Sequence, residues 1–494
     1  MPFFLGIDVG SSSIKTGVIS PDGGVIAQAT RSSATHEPRP GFKEQDPEAW
    51  WAAARESLRE VARSVPASEI AAVGTSGHIS SLTFVDSSGR AIRPAIGFQD
   101  LRAVDELDEL YARFSRAELA EHLGIDLPPA ATWPLPRLLW LKKHEPPTLD
   151  SAHRVLQAKD FVNYRLTGEF ASDHSSFRGL VNFASGSAAS DVLEALGLPA
   201  RLVPRFILPH EIVGRVTASA SEETGLPAGL PVVAGWNDLN ACVLGSGATE
   251  PGDSFNITGT SEHLGIVTSQ LHKAPELICA PYLAGKKLFY GVTSSGGGSL
   301  AWLEKVLGAK AESLLEQAAT VAPGGAGLVY LPYLEGERSP IWDPKAAGAF
   351  VGLRTSHDAA HLARAVLEGV AFSLRQILEL VARHAPSVSE PLIVSGGAAR
   401  ARLWNQIKAD VLESRVAVTE NPHAGILGAA ILAAVGVGLY KSCEEAARAM
   451  VRRGEEFRPL ADRASRYADL YAVYHQLYPA LKSCFAQLHS IRRG

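Results

Sequence analysis

Two stretches of the sequence carry the residue types that chemistry on phosphates needs. In "GIDVGSSSIKTGVI", residues 6–19, Asp8 ends a short apolar segment, Gly10, Ser11, Ser12 and Ser13 follow, and Lys15 opens a second apolar segment. In "FNITGTSEHLGIV", residues 255–267, Gly259 and Thr260 again sit in a small-residue turn between two apolar segments. Each reads as a β-hairpin whose tip offers backbone N–H groups and hydroxyls. Two such tips can grip one polyphosphate from both sides. A carboxylate at the end of the first strand would hold, directly or through water, the Mg²⁺ that bridges the phosphates. Asp, Gly and Ser also make up tight turns that bind nothing. The recurrence is what favours the phosphate reading, and it marks the chain as internally duplicated.

The elements that must position these tips fit an α/β protein. At 494 residues the chain is long enough for two to four domains. Hydrophobic residues make up 46% and charged residues 20%, which supplies cores and excludes a disordered class. A net charge of −5 argues against nucleic acid or an anionic membrane as partner. Apolar strands alternate with amphipathic helices along the chain. The clearest helix, "LARAVLEGVAFSLRQILELVARHA", repeats Leu362, Val366, Val370, Leu374, Leu378 and Val381 at helical spacing; Ser356 is its expected N-cap and Pro386 its expected stop. Cys242, Cys279, Cys443 and Cys484 lack the close pairing of metal or redox sites and read as reduced core thiols of a cytoplasmic protein. The first residues, "MPFFLGIDVG", have no basic region and are broken by Asp8, so no secretory signal is expected. The uncharged run at residues 424–440 is short for a membrane span and rich in small residues, which predicts a tightly packed internal helix.

Further blocks extend these readings over most of the chain: "GAFVGLRTSHDAAHLARAVLE" at residues 348–368, "PRLLWLKKHEP", "KDFVNYRLTGEF", "LPYLEGERSPIWDP" and "SGGAARARLWNQIKAD". In type and spacing they resemble the FGGY carbohydrate kinases of the sugar kinase, Hsp70 and actin superfamily, xylulokinase-like branch. The resemblance implies two ribonuclease H-like α/β domains around a central cleft: 1–247 for sugar and catalytic base, 248–440 for ATP. A C-terminal helical segment, 441–494, would pack back on the first domain. Asp238 in "VVAGWNDLNACVLG" matches the general base; read without the family, an Asp after a strand simply caps the next helix. Asp8 is similar to the metal-associated aspartate, Ser11 and Ser12 to the first phosphate loop, and Lys15 to a basic phosphate contact. Gly259 and Thr260 resemble the second phosphate loop, Gly296 and Gly297 a close backbone approach to ATP, and Gly396, Gly397 and Ala398 the adenosine site. For each glycine, close packing or a positive φ is the alternative.

On the sugar side the chain departs from the xylulokinase pattern. Gly-Gln-Met-His-Gly is here Gly77, His78, Ile79, Ser80, Ser81; Asp-Asn at the base is Asp238-Leu239; Trp-x-Asp-x-Arg is Phe98, Gln99, Asp100, Leu101, Arg102. His78, Ile79, Ser80, Phe98, Asp100 and Arg102, with Asp238, are the expected substrate-binding residues. The resemblance implies a kinase that uses ATP and Mg²⁺ on a pentulose or related ketose. A polyol or sugar acid kinase, or a non-catalytic sugar-binding regulator, are the alternatives. Its partners would be a small sugar or polyol and ATP, with no nucleic acid or membrane and with a homodimer possible.

Overall fold

The structure, a computed structural model, describes residues 2–385 and 387–493. The chain divides into two compact units, Met1–Gly247 with His423–Val451, and Ala248–Pro422 with Arg452–Gly494. Each is built on a seven-stranded mixed sheet.

In the first unit, Phe3–Val9, Ser13–Ile19 and Val25–Ser32 form an antiparallel meander, and Phe3–Val9 also pairs in parallel with Ile70–Gly77. Pro231–Val233 and Trp236–Asn237 add to the far side of Ile70–Gly77. The helix Pro47–Val61 covers one face, and its Trp50 and Trp51 are buried with Leu5, Ile7, Val18 and Val73. The helix Ala424–Gly436 packs on the same sheet at backbone distance. A Cβ on Gly6 would lie 2.1 Å from the Ile426 carbonyl oxygen, and one on Gly74 would lie 1.9 Å from that of Ala429. Nothing larger than glycine fits, so residues 424–436 of the small-residue run form the packed helix expected for 424–440, while Val437 to Leu439 are exposed and outside it. No helix among the described residues is long and apolar enough to cross a membrane.

In the second unit, Asp253–Thr258 and Glu262–Thr268 form a hairpin, and Asp253–Thr258 pairs in parallel with Ser389–Gly396. The meander-plus-parallel-strand pattern of the first unit is thereby repeated. The helix Ala359–His384 buries Val366, Val370, Leu374 and Val381. Its N-cap is Asp358, which accepts from the His361 N–H, rather than Ser356. Pro386, the expected stop, lies outside the described residues.

Two boundaries differ from the sequence reading. The segment His423–Val451 belongs to the first unit because of the glycine contacts above. The helix Ala461–Arg493 belongs to the second unit, not the first. Its tyrosine face decides this. Tyr467 Oη donates to Glu368 Oε1 at 2.8 Å while Arg364 donates to the same carboxylate, and Tyr474 packs on Phe372 and meets Tyr333 Oη at 3.1 Å. All four cysteines are free. Cys443 is buried as expected, Cys242 and Cys279 are half-buried, and Cys484 is exposed, which removes it from the expected core set.

Candidate active site

In the first unit three neighbouring strand ends bring carboxylates together. Asp8 stands opposite Lys15 across the hairpin and beside Ser76 on the parallel strand. Ser76 Oγ donates to Asp8 Oδ1 at 2.6 Å. A Cβ on Gly425 would come within 2.8 Å of Asp8 Cγ, so a glycine there leaves room for the carboxylate. The Gly10 N–H donates to Ser13 O at 3.0 Å, closing a tight tip on which Ser12 is exposed and Ser11 half-buried.

Trp236–Asn237 pairs with Ser76 and Gly77, so Asp238 emerges beside Asp8 as the first residue of the helix Asp238–Gly245. Asn237 caps this helix by accepting from the Asn240 N–H at 2.9 Å. Asp238 is half-buried, and its own Oδ1 accepts from the Leu239 N–H at 2.8 Å. Burial, then the charge of Asp8, pushes the Asp238 carboxyl up to about 6, against the pull of Leu239 N–H and Arg178. One helical turn on, the Cys242 thiol is raised by burial and by both aspartates. Asp8 acts on Asp238 electrostatically across the intervening strand. No cluster of three or more His, Cys, Asp or Glu that could hold a metal occurs among the described residues, and a Mg²⁺ on the Asp8 carboxylate would take water and phosphate oxygens as its remaining ligands.

The sugar-loop residues are placed unequally. His78 is buried, its Nδ1 lies 2.8 Å from the Val9 carbonyl, and its ring lies near Trp50 and Phe98. Burial lowers its pKa, so it is neutral with the proton on Nδ1, and Nε2 is a buried acceptor without a partner. Ile79 is half-buried, and Ser80 adopts a left-handed conformation with φ 64°. Its carbonyl is gripped by Arg137, which is wholly buried and also donates to the carbonyls of Phe98 and Asp100 at 3.0 and 3.1 Å. Asp100 accepts from the Lys43 and Arg102 N–H groups and from two nitrogens of the Arg102 guanidinium, at 2.6 to 2.9 Å. Arg102 also reaches Glu44 and lies between the rings of Phe42 and Trp140. Four donors saturate the Asp100 carboxylate, so the pair braces the loop.

In the second unit the tip residues Gly259 and Thr260 are exposed. A second turn is laced onto them: Gly296 and Gly298 donate to Thr260 O at 2.7 and 3.0 Å, and Gly297 donates to Gly259 O at 2.9 Å. These amides point into the hairpin, so Gly296 and Gly297 shape the tip with their backbone rather than offering it to a ligand. Gly396 has φ 111°, and a Cβ there would lie 2.0 Å from Thr258 O; a Cβ on Gly397 would meet nothing within 4 Å. Gly396 is therefore a packing glycine and Gly397 faces open space. The Ala398 N–H donates to Thr258 Oγ1 at 3.1 Å. Behind the tip, buried Lys408 holds Glu262 Oε2 at 2.7 Å and Asn256 Oδ1 at 2.8 Å.

Sequence reasoning assigned no role to Ser76, Arg137, Arg178 or Lys159. The one available signal was charge inside apolar blocks: Lys159 and Asp160 open "KDFVNYRL", and Arg137 interrupts "PRLLWL". A buried charge needs partners, and for Arg137 these are carbonyls 37 to 57 residues away in sequence.

The chain is thus a duplicated protein of two sheet-cored α/β units, each carrying a hairpin tip of glycine and hydroxyl residues. Comparison with known proteins gives the family. Residues 3–245 match the N-terminal domain and residues 255–437 the C-terminal domain of the FGGY family of carbohydrate kinases. The xylulose kinase of Bacillus subtilis is 31% identical over 510 residues, covering 100% of both chains. The gluconokinase of the same organism is 25% identical over 508 residues, covering 100% of this chain and 98% of that one. The crystal structure of xylulose kinase from Rhodospirillum rubrum superposes with a TM-score of 0.83 at 31% identity, covering 98% of this chain and 99% of that one. The chain belongs to the FGGY family of carbohydrate kinases. It is a sugar kinase, a phosphotransferase of carbohydrate metabolism, with a sugar and ATP as the substrates its family implies.

Proposed function

We propose that the protein transfers the γ-phosphoryl group of ATP to a hydroxyl of a small open-chain sugar, a pentulose or related ketose, with Asp238 as general base. The observation that carries the reading is the Asp238 carboxyl, held at a helix start beside Asp8 and raised to about 6. A base poised there is ionised at neutral pH and basic enough to take the alcohol proton as the oxygen attacks phosphorus. Asp8 would hold Mg²⁺, which when bound neutralises charge on the phosphates. Ser11, Ser12 and Lys15 would meet phosphates on the first unit, and Gly259 and Thr260 on the second, with Gly397 and Ala398 beside the adenosine. His78 Nε2 would accept a sugar hydroxyl, with Ile79, Ser80 and Phe98 around it.

A neutral sugar is favoured over a sugar acid. A substrate carboxylate would add a third negative charge to a site where Asp8 already raises Asp238. The test is ADP release with ATP and Mg²⁺ against pentuloses, hexuloses, polyols and sugar acids. A ketose should give the highest kcat/KM, and Asp238→Ala should lose about 10²–10⁴-fold in kcat while still binding ATP. A best substrate bearing a carboxylate, or an Asp238→Ala enzyme with more than about half the wild-type kcat, would overturn the reading.

A further inference from the structure

A line of buried polar groups in the first unit ends at the residue before Asp238, and its hydrogen-bond directions are forced. Lys159, Asp160, Asp173 and Asn237 are wholly buried, and Ser175 and Trp236 nearly so. Ser175 Oγ lies 2.7 Å from Trp236 Nε1 and 3.0 Å from Asn237 Nδ2, and both of those nitrogens can only donate. The hydroxyl has a single proton, so that proton must go to Asp173 Oδ2, 2.5 Å away. Asp173 accepts it together with the Ser176 N–H and hydroxyl. A carboxylate sealed from water needs a cation, and Lys159 Nζ supplies it at 3.0 Å. Lys159 in turn is held by Asp160 at 2.6 Å and by the Ala234 carbonyl at 3.2 Å.

The far end matters most. With its amide nitrogen tied to Ser175, Asn237 presents Oδ1 to the Asn240 N–H and caps the helix that Asp238 opens. Rotation of that amide would lose both bonds and release the first helical turn. Asp238 has no side-chain partner in this line; its orientation is inherited from the backbone of Trp236, Asn237 and Leu239.

We infer that Lys159, Asp173 and Ser175 form a positioning relay that fixes the geometry of Asp238 without touching substrate. The inference rests on the reading of Asp238 as the general base. Displacement of a reacting group by about 1 Å can cost roughly 100-fold in rate. Ser175→Ala strands two buried donors and frees the Asn237 amide. It should lower kcat by about 10- to 100-fold and leave the KM for ATP within about twofold. Ser175→Thr, which keeps the hydroxyl, should recover most of kcat. In an Asp238→Asn background, Ser175→Ala should cost almost nothing further, because the group it positions is already gone. A kcat within about threefold of wild type, no rescue by threonine, or the same fold-loss in both backgrounds overturns the relay. If Asp238→Asn itself keeps wild-type turnover, the base assignment has failed; if it is inactive while Ser175→Ala is fully active, only the relay has failed. Should Ser175→Ala not fold, Trp236→Phe removes one donor from the same hydroxyl and keeps the ring. The same split between kcat and the KM for ATP is expected, and its absence in a folded Trp236→Phe enzyme counts against the relay.

Discussion

Asp238→Asn should make the ligand-free protein more stable at neutral pH while removing turnover. The wild-type carboxyl is raised from an ordinary 3.8 to about 6 by burial and by Asp8. At about 1.4 kcal/mol per pH unit, that displacement is roughly 3 kcal/mol of native-state penalty on the ionised form. Asp238 is half-buried rather than sealed, so solvent screening trims the figure to about 1–2 kcal/mol. The sign follows from proton linkage. Between pH 3.8 and about 6 the folded state binds the proton that the unfolded state has released, so this group's contribution to stability is present below 3.8 and lost as pH rises through about 6. An asparagine keeps an oxygen for the Leu239 N–H and carries no charge. At pH 7.5 the variant should melt about 2–8 °C above wild type, taking about 2–4 °C per kcal/mol, and at pH 4 the margin should vanish. Thermal unfolding followed calorimetrically across that range, without sugar, nucleotide or Mg²⁺, reads it directly. A variant less stable than wild type at pH 7.5, or a margin equal at both pH values, would refute the argument that Asp238 is held ionised against its environment.

The pH profile of kcat/KM should have an acidic limb centred near 6, with the rate at pH 5 about a tenth of its plateau; Asp8→Asn should move that limb to lower pH by removing a charge that raises Asp238. Lys408→Met leaves Glu262 buried without its cation and should cost about 3–5 kcal/mol, whereas Lys408→Met with Glu262→Gln should recover much of it in chemical denaturation. Gly396→Ala should fail to fold or lose more than about 1–3 kcal/mol, because its φ is 111° and its Cβ would strike Thr258 O. Gly397→Ala should stay within about 0.5 kcal/mol of wild type, so a raised KM for ATP in that variant reports a ligand at the open face.

Strand ends were the legible part of the site. Asp8 and Asp238 each close a short apolar segment, and a charge at such a boundary comes out at the end of its strand. The hairpin repeat was legible for the same reason, since alternation of apolar segments and small-residue turns is local information. The spacing of Asp100 and Arg102 shows two charges near a pocket loop, but not that they pair with each other or that Lys43 and Glu44, over fifty residues away, complete the cluster. Arg137 and Lys159 were silent because a buried cation looks like any other lysine or arginine until the carbonyls and carboxylates of Ser80, Phe98 and Asp173 close around it. The last helix was assigned to the wrong unit because its tyrosines at 467, 471 and 474 show a helical stripe but not what it covers.

On the proposed reading the duplication divides the chemistry between the units, and each unit also carries a buried ion pair. Each unit backs its working loop with a sealed lysine and carboxylate, Lys159 with Asp173 in one and Lys408 with Glu262 in the other. Such pairs return little net stability, because desolvation consumes most of what attraction supplies, but a misregistered neighbour leaves a naked charge, so they enforce one geometry. What they enforce differs. In the first hairpin Asp8 faces Lys15, and in the second the register sets Ile257 against His263, leaving the tip to Gly259 and Thr260. On the proposed reading, a tip of glycine and threonine suits a polyphosphate, while Asp8 and Asp238 lie in the unit where the alcohol would lose its proton. On the proposed reading, an exchange of tip residues between the units would therefore abolish transfer even if both copies folded, because grip and proton removal need opposite electrostatics on the same scaffold.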